Sequence, residues 1–263
     1  MPGTRAQTFT VEVLGSGTSM GVPVVGCDCA VCRSDDPRDK RLRASVLIRI
    51  RGMHLLIDTS IDFRQQALRS GIHQLDAVLY THHHVDHILG MDDLRSLNFF
   101  TRRDIPIYAT RETLAHIRRV FAYVFEPEKS PSDVPRVIPR EISKQPFTIG
   151  DVRIQPIPLW HGQLPILGFR IGRFAYCTDV SRIPEESFVL LEGLEVLLLG
   201  ALRRRPHPTH FCLAEAIEAA QRIAARQTYF IHMSHDLGHA QTEAELPDTI
   251  HLAYDGLTLT VSE

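Results

Sequence analysis

No sign of charge dominates this chain. Its 263 residues carry 29 lysines and arginines against 31 aspartates and glutamates, a formal charge of −2. A protein that coats nucleic acid usually leaves a basic footprint, so a stable nucleic-acid complex is not expected. Long hydrophobic runs are missing too. The most apolar stretch, residues 187–202, is interrupted by Glu192 and Glu195 and cannot span a membrane. Neither residues 1–7 nor the short run 9–14 has the apolar centre of a secretion signal. Cysteines are few and odd in number: five, with three crowded at Cys27, Cys29 and Cys32. That count suits a reducing compartment and a metal better than a disulfide framework. The cytoplasm is the expected location, with no membrane partner. Repeats, low-complexity tracts and linkers are also lacking.

What is present is ordinary globular material, 44% hydrophobic and 23% charged, which excludes a disordered or fibrous chain. At this length roughly three quarters of the unfolded surface can be buried, so no disulfide staples are required. The expectation is one α/β domain over residues 1–263. Strand-like runs alternate with helical patterns. Residues 9–13, 45–50 and 53–57 read as strands, the last two joined hairpin-fashion through Arg51-Gly52. Residues 61–69 read as a helix, and residues 76–81 as a buried strand. In the second half, strands are expected at 152–157, 166–171, 174–178, 195–199, 228–231 and 257–261. Residues 213–225 form the clearest helix, with Ile217, Ala220 and Ile223 along one stripe. Residues 110–126 look helical, and residues 127–146, with five prolines, read as a loop. Two halves of this kind suggest two sheets packed face to face with helices outside.

The composition departs from the ordinary in its 14 histidines. Thr81-His82-His83-His84-Val85-Asp86-His87 follows a strand directly, placing His82, His84, Asp86 and His87 at a sheet edge where α/β proteins bind ligands. An isolated histidine run is usually a surface loop. Here the Asp-His pair and the strand context favour metal, and imidazole with carboxylate suits Zn, Mn or Fe. In an extended turn His82 and His84 can point the same way and clasp one ion. Asp86 and His87, as the chain bends into a helix, can face a second.

His82-x-His84-x-Asp86-His87 resembles the HxHxDH signature of metallo-β-lactamase-fold hydrolases. The resemblance implies a four-layer αββα sandwich with two divalent ions, Zn or Mn, in its active site. It implies further ligands at His161, Asp179 and His232, each at the end of an expected strand. His82, His84 and His161 would hold one ion, Asp86, His87 and His232 the other, and Asp179 would bridge them. Asp58, after the strand Leu55-Leu56-Ile57, would support the site rather than bind metal. The nucleophile implied is a hydroxide shared by two ions, with Asp86 counted in the catalytic set.

Gly26-Cys27-Asp28-Cys29-Ala30-Val31-Cys32 offers three thiolates, which with a fourth ligand make a closed structural zinc site. His235, three residues past His232, can supply it. These features, with the Gly15-Ser16-Gly17-Thr18 run, Gly21-Val22-Pro23 and the His232-Met233-Ser234-His235 ending, are similar to the cyclic phosphodiesterases of the phosphonate-degradation type. That group holds a structural Zn with the corresponding residues and acts on 5-phosphoribosyl 1,2-cyclic phosphate. Gly15 to Thr18 lacks a P-loop ending and reads as a tight turn. Where that group has Asp-Cys-Ser-His, this chain has Gly200-Ala201-Leu202-Arg203, so the proton donor has another source. His210 is the first choice, from its similarity to the His-x-x-x-x-Glu-Ala stretch of tRNA 3′-processing nucleases, and His207 the second.

Arg95 and Arg203 are candidates to grip a phosphate, while Arg38, Lys40, Arg41 and Arg43 are expected to pair with Asp35, Asp36 and Asp39. Cys177 and Cys212 read as packing residues. The sequence reading is therefore a metal-dependent phosphodiesterase for a small phosphorylated substrate. The alternatives are a lactonase, a thioesterase, a tRNA 3′-processing nuclease (disfavoured by the missing basic arm) or a non-catalytic scaffold binding a cyclic nucleotide. The helical stretch 110–126 has two open uses, covering the cleft or making a homodimer contact.

Overall fold

The computed structural model describes residues 7–126 and 132–263. Its strands are β1 (Thr8–Gly15), β2 (Ser45–Ile50), β3 (Met53–Ile57), β4 (Ala77–Leu79), β5 (Ile105–Ala109), β6 (Val137–Glu141), β7 (Phe147–Ile149), β8 (Val152–His161), β9 (Leu164–Ile171), β10 (Phe174–Cys177), β11 (Val196–Gly200), β12 (Gln227–Ile231), β13 (Ile250–Leu252) and β14 (Thr258–Ser262). They form two seven-stranded sheets, ordered β14-β1-β2-β3-β4-β5-β6 and β13-β12-β11-β10-β9-β8-β7. Each sheet is mixed. Hairpin-linked strands pair antiparallel, and strands with helical crossovers pair parallel, as β3 with β4 and β11 with β12 do.

Side-chain alternation along the strands divides the core into layers. Val46, Ile48, Leu55 and Ile57 meet Phe169, Phe174, Tyr176 and Leu198 between the sheets. Their neighbours Leu47 and Leu56 face outward onto Phe63, Leu94, Leu114 and Ile117, which come from helices on the first sheet. Ala175, Cys177, Leu197 and Leu199 face the other way onto Leu213, Ala216, Ala220 and Ile223 of the helix Leu213–Ile223. Strands buried on both faces explain why the second-half runs are continuously apolar rather than alternating. The result is the four-layer αββα sandwich.

Several elements differ from expectation. Residues 127–131 lie outside the described residues, as do 1–6, where no secretion signal was expected. The rest of the proline-rich stretch is not all loop, because β6 runs along the sheet edge with Pro139 inside it. An edge strand has one side without a hydrogen-bonded neighbour, so a residue without an N–H is tolerated there. Residues 15–18 are not a tight turn. Gly17 is extended and bridges both Arg43 and Met233, Met233 N donates to Ser16 O, and Thr18 N donates to Met233 O. This run stitches the two sheets together. A Cβ on Gly17 would lie 2.9 Å from both the Cβ and the carbonyl oxygen of Arg41.

The basic residues of 38–43 also divide differently. Arg38 pairs with Asp36 and Arg41 with Asp39, but Arg43 reaches Asp62 and the Lys40 ammonium donates to Cys32 O. Arg41 is fully buried. It donates to the carbonyls of Ser234 and Leu237 as well as to Asp39.

Candidate metal centres and active site

The strand-end residues Asp58, His82, His161, Asp179 and His232 gather at one edge of the sandwich. Asp58 and His232 follow β3 and β12 directly and Asp179 stands two residues past the end of β10, and all three have positive φ, 62°, 54° and 61°. Non-glycine residues rarely adopt this conformation, and such strain concentrates at functional sites. It turns each side chain sharply off its strand. Asp86 and His87 come from the short helix Val85–Ile88, for which His84 is the N-cap.

Hydrogen bonds then fix which ring nitrogen each histidine presents. Asp58 accepts from His87 Nδ1 at 2.8 Å. Thr81 donates its hydroxyl to Asp58 at 2.9 Å and accepts from His82 Nδ1 at 3.0 Å. His161 Nδ1 donates to Thr209 O at 2.6 Å. In all three rings this leaves Nε2 as the atom turned to the cluster, the one metal-ligating histidines commonly present to an ion. Thr81 and Thr209 went unnoticed in the sequence. Their positions, one before His82 and one before His210, were the available signal.

The Nε2 atoms of His82, His87 and His232 are buried without a hydrogen-bond partner. Buried nitrogens are normally satisfied, so this set calls for a further group. One donor atom each from His82, His84 and His161 forms a cluster within 4.8 Å; Asp86, His87, Asp179 and His232 form another. In the second, His87 Nε2 lies 3.3 Å from Asp179 and 3.4 Å from Asp86, while His232 Nε2 lies 3.2 Å from Asp179. Donors about 2.0–2.1 Å from a shared tetrahedral ion would be about 3.3 Å apart. The residues fit divalent cations.

Electrostatics point the same way. Burial opposes charge on His87, but Asp179, Asp86 and Asp58 outweigh it and hold its pKa well above the imidazole range. Burial likewise opposes charge on Asp179, yet His232 and His87 keep it well below the usual carboxylate range. Burial pushes His82 well down, so it stays neutral.

His210 belongs to this edge. Its ring stacks on His232 at 4.9 Å and tilts against His161 at 4.4 Å, with Nδ1 3.9 Å from Asp179. Burial, reinforced by His232, pushes its pKa down to about 3. His207 lies 5.2 Å beyond it. Its Nδ1 accepts from Thr209 N at 3.3 Å, which puts its proton on Nε2. The two arginines fare differently from the histidines. Arg203 donates to the carbonyls of Arg205 and Pro206 and so shapes this loop. Arg95 pairs with Asp92 and lines a separate cavity of about 880 Å³ with Phe99, Arg102 and Arg136.

A second centre lies nearby in sequence. His235 Nδ1 is 3.2, 3.6 and 3.4 Å from the sulfurs of Cys27, Cys29 and Cys32. Zn–S of 2.3 Å and Zn–N of about 2.0 Å predict a tetrahedral edge of about 3.5 Å, so these four also fit one ion. The helix Ala30–Arg33 aids them, since the Cys32 N–H donates to Cys29 and lowers its thiol pKa. Burial pushes Cys32 up to about 11.

Fold and site together define a class. Residues 54–233 match the beta-lactamase superfamily domain, and the chain belongs to that superfamily as a metallo-β-lactamase-fold hydrolase, a fold that implies use of divalent metal. Within it the chain is of the PhnP type. A crystal structure of a diphosphatase from the PhnP family matches with a TM-score of 0.92 and 45% identity, over 98% of this chain and 100% of that one. An octanoyltransferase from Porphyromonas gingivalis is 42% identical over 254 residues, 95% of this chain and 51% of that protein. A ribonuclease Z from Methanopyrus kandleri is 32% identical over 142 residues, 51% of this chain and 46% of that protein. The chain thus spans about half the length of the curated relatives it matches.

Proposed function

We propose that this protein is a phosphodiesterase acting on a small phosphorylated substrate such as 5-phosphoribosyl 1,2-cyclic phosphate, and that it works in the cytoplasm. The observation that carries this reading is the convergence of seven buried or half-buried donors with His210 beside them. Its support is the likeness to a PhnP-family diphosphatase over the whole described fold. His82, His84 and His161 would hold one ion, and Asp86, His87 and His232 a second, with Asp179 between them. Bound there, divalent cations acidify water and neutralise charge on phosphoryl oxygens.

The chain's own groups do the rest. Asp58 and Thr81 hold His82 and His87 in their ligating tautomers, and Thr209 does so for His161. His210, on the open side of the cluster and neutral at rest, would take up a proton as the phosphate's negative charge arrives beside it and give that proton to the departing alkoxide. His207, with its proton on Nε2, offers a hydrogen bond to a non-bridging phosphate oxygen at the rim. Five free cysteines, three of them in one cluster, suit a reducing compartment.

That the PhnP-family relative is a diphosphatase favours a second substrate class, a phosphoanhydride. Purified protein assayed on a cyclic phosphodiester, bis(p-nitrophenyl) phosphate, a diphosphate, a lactone and a thioester separates these readings. Hydrolysis of the phosphodiesters with Asp179→Asn inactive supports the proposal. Preference for lactone or thioester, or an active Asp179→Asn, overturns it.

A further inference from the structure

His83, the middle member of the histidine run, joins neither cluster. It turns instead to the helix Arg111–Val120. Its ring stacks on His116 with centroids 3.8 Å apart and planes 8° from parallel. Glu112 stands one turn before His116, and residues four apart share a helix face. One donor atom from each of His83, Glu112 and His116 lies within 4.8 Å of the others.

The hydrogen bonding of His116 has the same form as at the buried centre. Its Nδ1 lies 3.1 Å from the backbone carbonyl of Glu112. A carbonyl oxygen can only accept, so Nδ1 carries the proton and Nε2 keeps its lone pair, as in metal-binding histidines. Stacked rings hold their lone pairs in parallel planes, so one ring must turn before both can reach one ion. Rotation about the Cβ–Cγ bond of histidine is broad and soft, and His83 is only half buried.

We propose that His83, Glu112 and His116 form a further metal site for a divalent cation of the zinc, nickel or copper class. Two imidazoles and one carboxylate are borderline donors of the kind these ions prefer. Three protein ligands leave a position open for water or an anionic ligand. Because Glu112 is exposed and a ring must turn, this site binds more weakly than the two buried ones. It needs neither the reaction nor the substrate proposed above.

The test is a zinc count on the full chain at saturating free Zn²⁺, by equilibrium dialysis, comparing the natural protein with His116→Ala and Glu112→Gln. The natural protein should hold one more zinc than His116→Ala. Glu112→Gln, which keeps both imidazoles, should weaken that last equivalent about 10-fold or more. Zinc-soaked crystals should show an anomalous peak between the two rings, with their stack opened. Equal zinc content and affinity in all three proteins, or a soaked crystal with the rings still stacked and no peak there, overturns the site. Lack of phosphodiesterase activity would leave this count untouched, so the two readings fail separately.

Discussion

The thiol centre and the histidine–aspartate centre hang from the two ends of one four-residue segment, His232 to His235, yet they are built on opposite lines. The first draws three donors from a single short loop and one from afar, and its three thiols and one imidazole would surround an ion completely. The second draws its donors from several strand ends and the helix beside one, keeps the Nε2 atoms of His82, His87 and His232 dry, and leaves His84 and His210 toward solvent. A closed tetrahedron holds chain segments together. An open cluster of harder ligands leaves room for a substrate. On the function proposed above, the contrast separates a centre that would stabilise from one that would react, although both use the same backbone.

The sharpest way to break this comparison is Asp179→Asn. Turnover of bis(p-nitrophenyl) phosphate should fall to background while the melting temperature moves little. An unfolded variant would show that this centre too is structural. Cys32→Ser should do the reverse, removing one zinc and costing about 4 kcal/mol or more of stability, as loss of a structural metal does. Thermal unfolding with zinc analysis checks it. Arg41→Met should affect both centres. It leaves Asp39 buried without its ion-pair partner, a loss of about 3–5 kcal/mol, and frees the carbonyl of Ser234 between the centres and that of Leu237 just past the thiol centre.

Smaller effects sharpen the contrast. His210→Ala should lower kcat by about 10²–10⁴-fold with metal content unchanged, measured by steady-state kinetics and elemental analysis. Loss of metal instead would make His210 a ligand. Beside the thiol loop, Arg38 holds the Asp36 carboxyl down to about 2, from an ordinary 3.8. A depressed carboxylate adds stability above its ordinary pKa and loses it as pH falls through the lowered one. Asp36→Asn should therefore cost less than about 1 kcal/mol near neutral pH, and the difference should vanish near pH 2 in urea melts.

Much of the site could be read from the chain because its ligands are strand-terminal. An apolar run announces its own end, so Ile57, Cys177 and Ile231 set Asp58, Asp179 and His232 at strand ends, and the family resemblance then singled them out. The hairpin β2–β3 was legible for a similar reason, with Arg51 and Gly52 both at positive φ as a two-residue turn requires. Strands β5 and β6 were not, since Pro106 and Pro139 interrupt the signal and their partners are distant in sequence. The groups that hold the ligands were also hidden. Thr81, Thr209 and Arg41 act through backbone carbonyls or a neighbour's carboxylate, and such partners leave no residue pattern. Arg41 read as one of four cations pairing with nearby aspartates because the sequence alone does not say which arginine is buried.

Gly17 lies where the two seven-stranded sheets meet, between Arg43 and the Met233 that separates His232 from Ser234. With Arg41 packed against it, a single added methyl would push on the arginine that anchors the thiol side and on the Leu42 carbonyl that accepts from Gly17's own N–H. The bare backbone of one glycine thus pins the seam from which both centres hang, and one carbon atom there would pry at it.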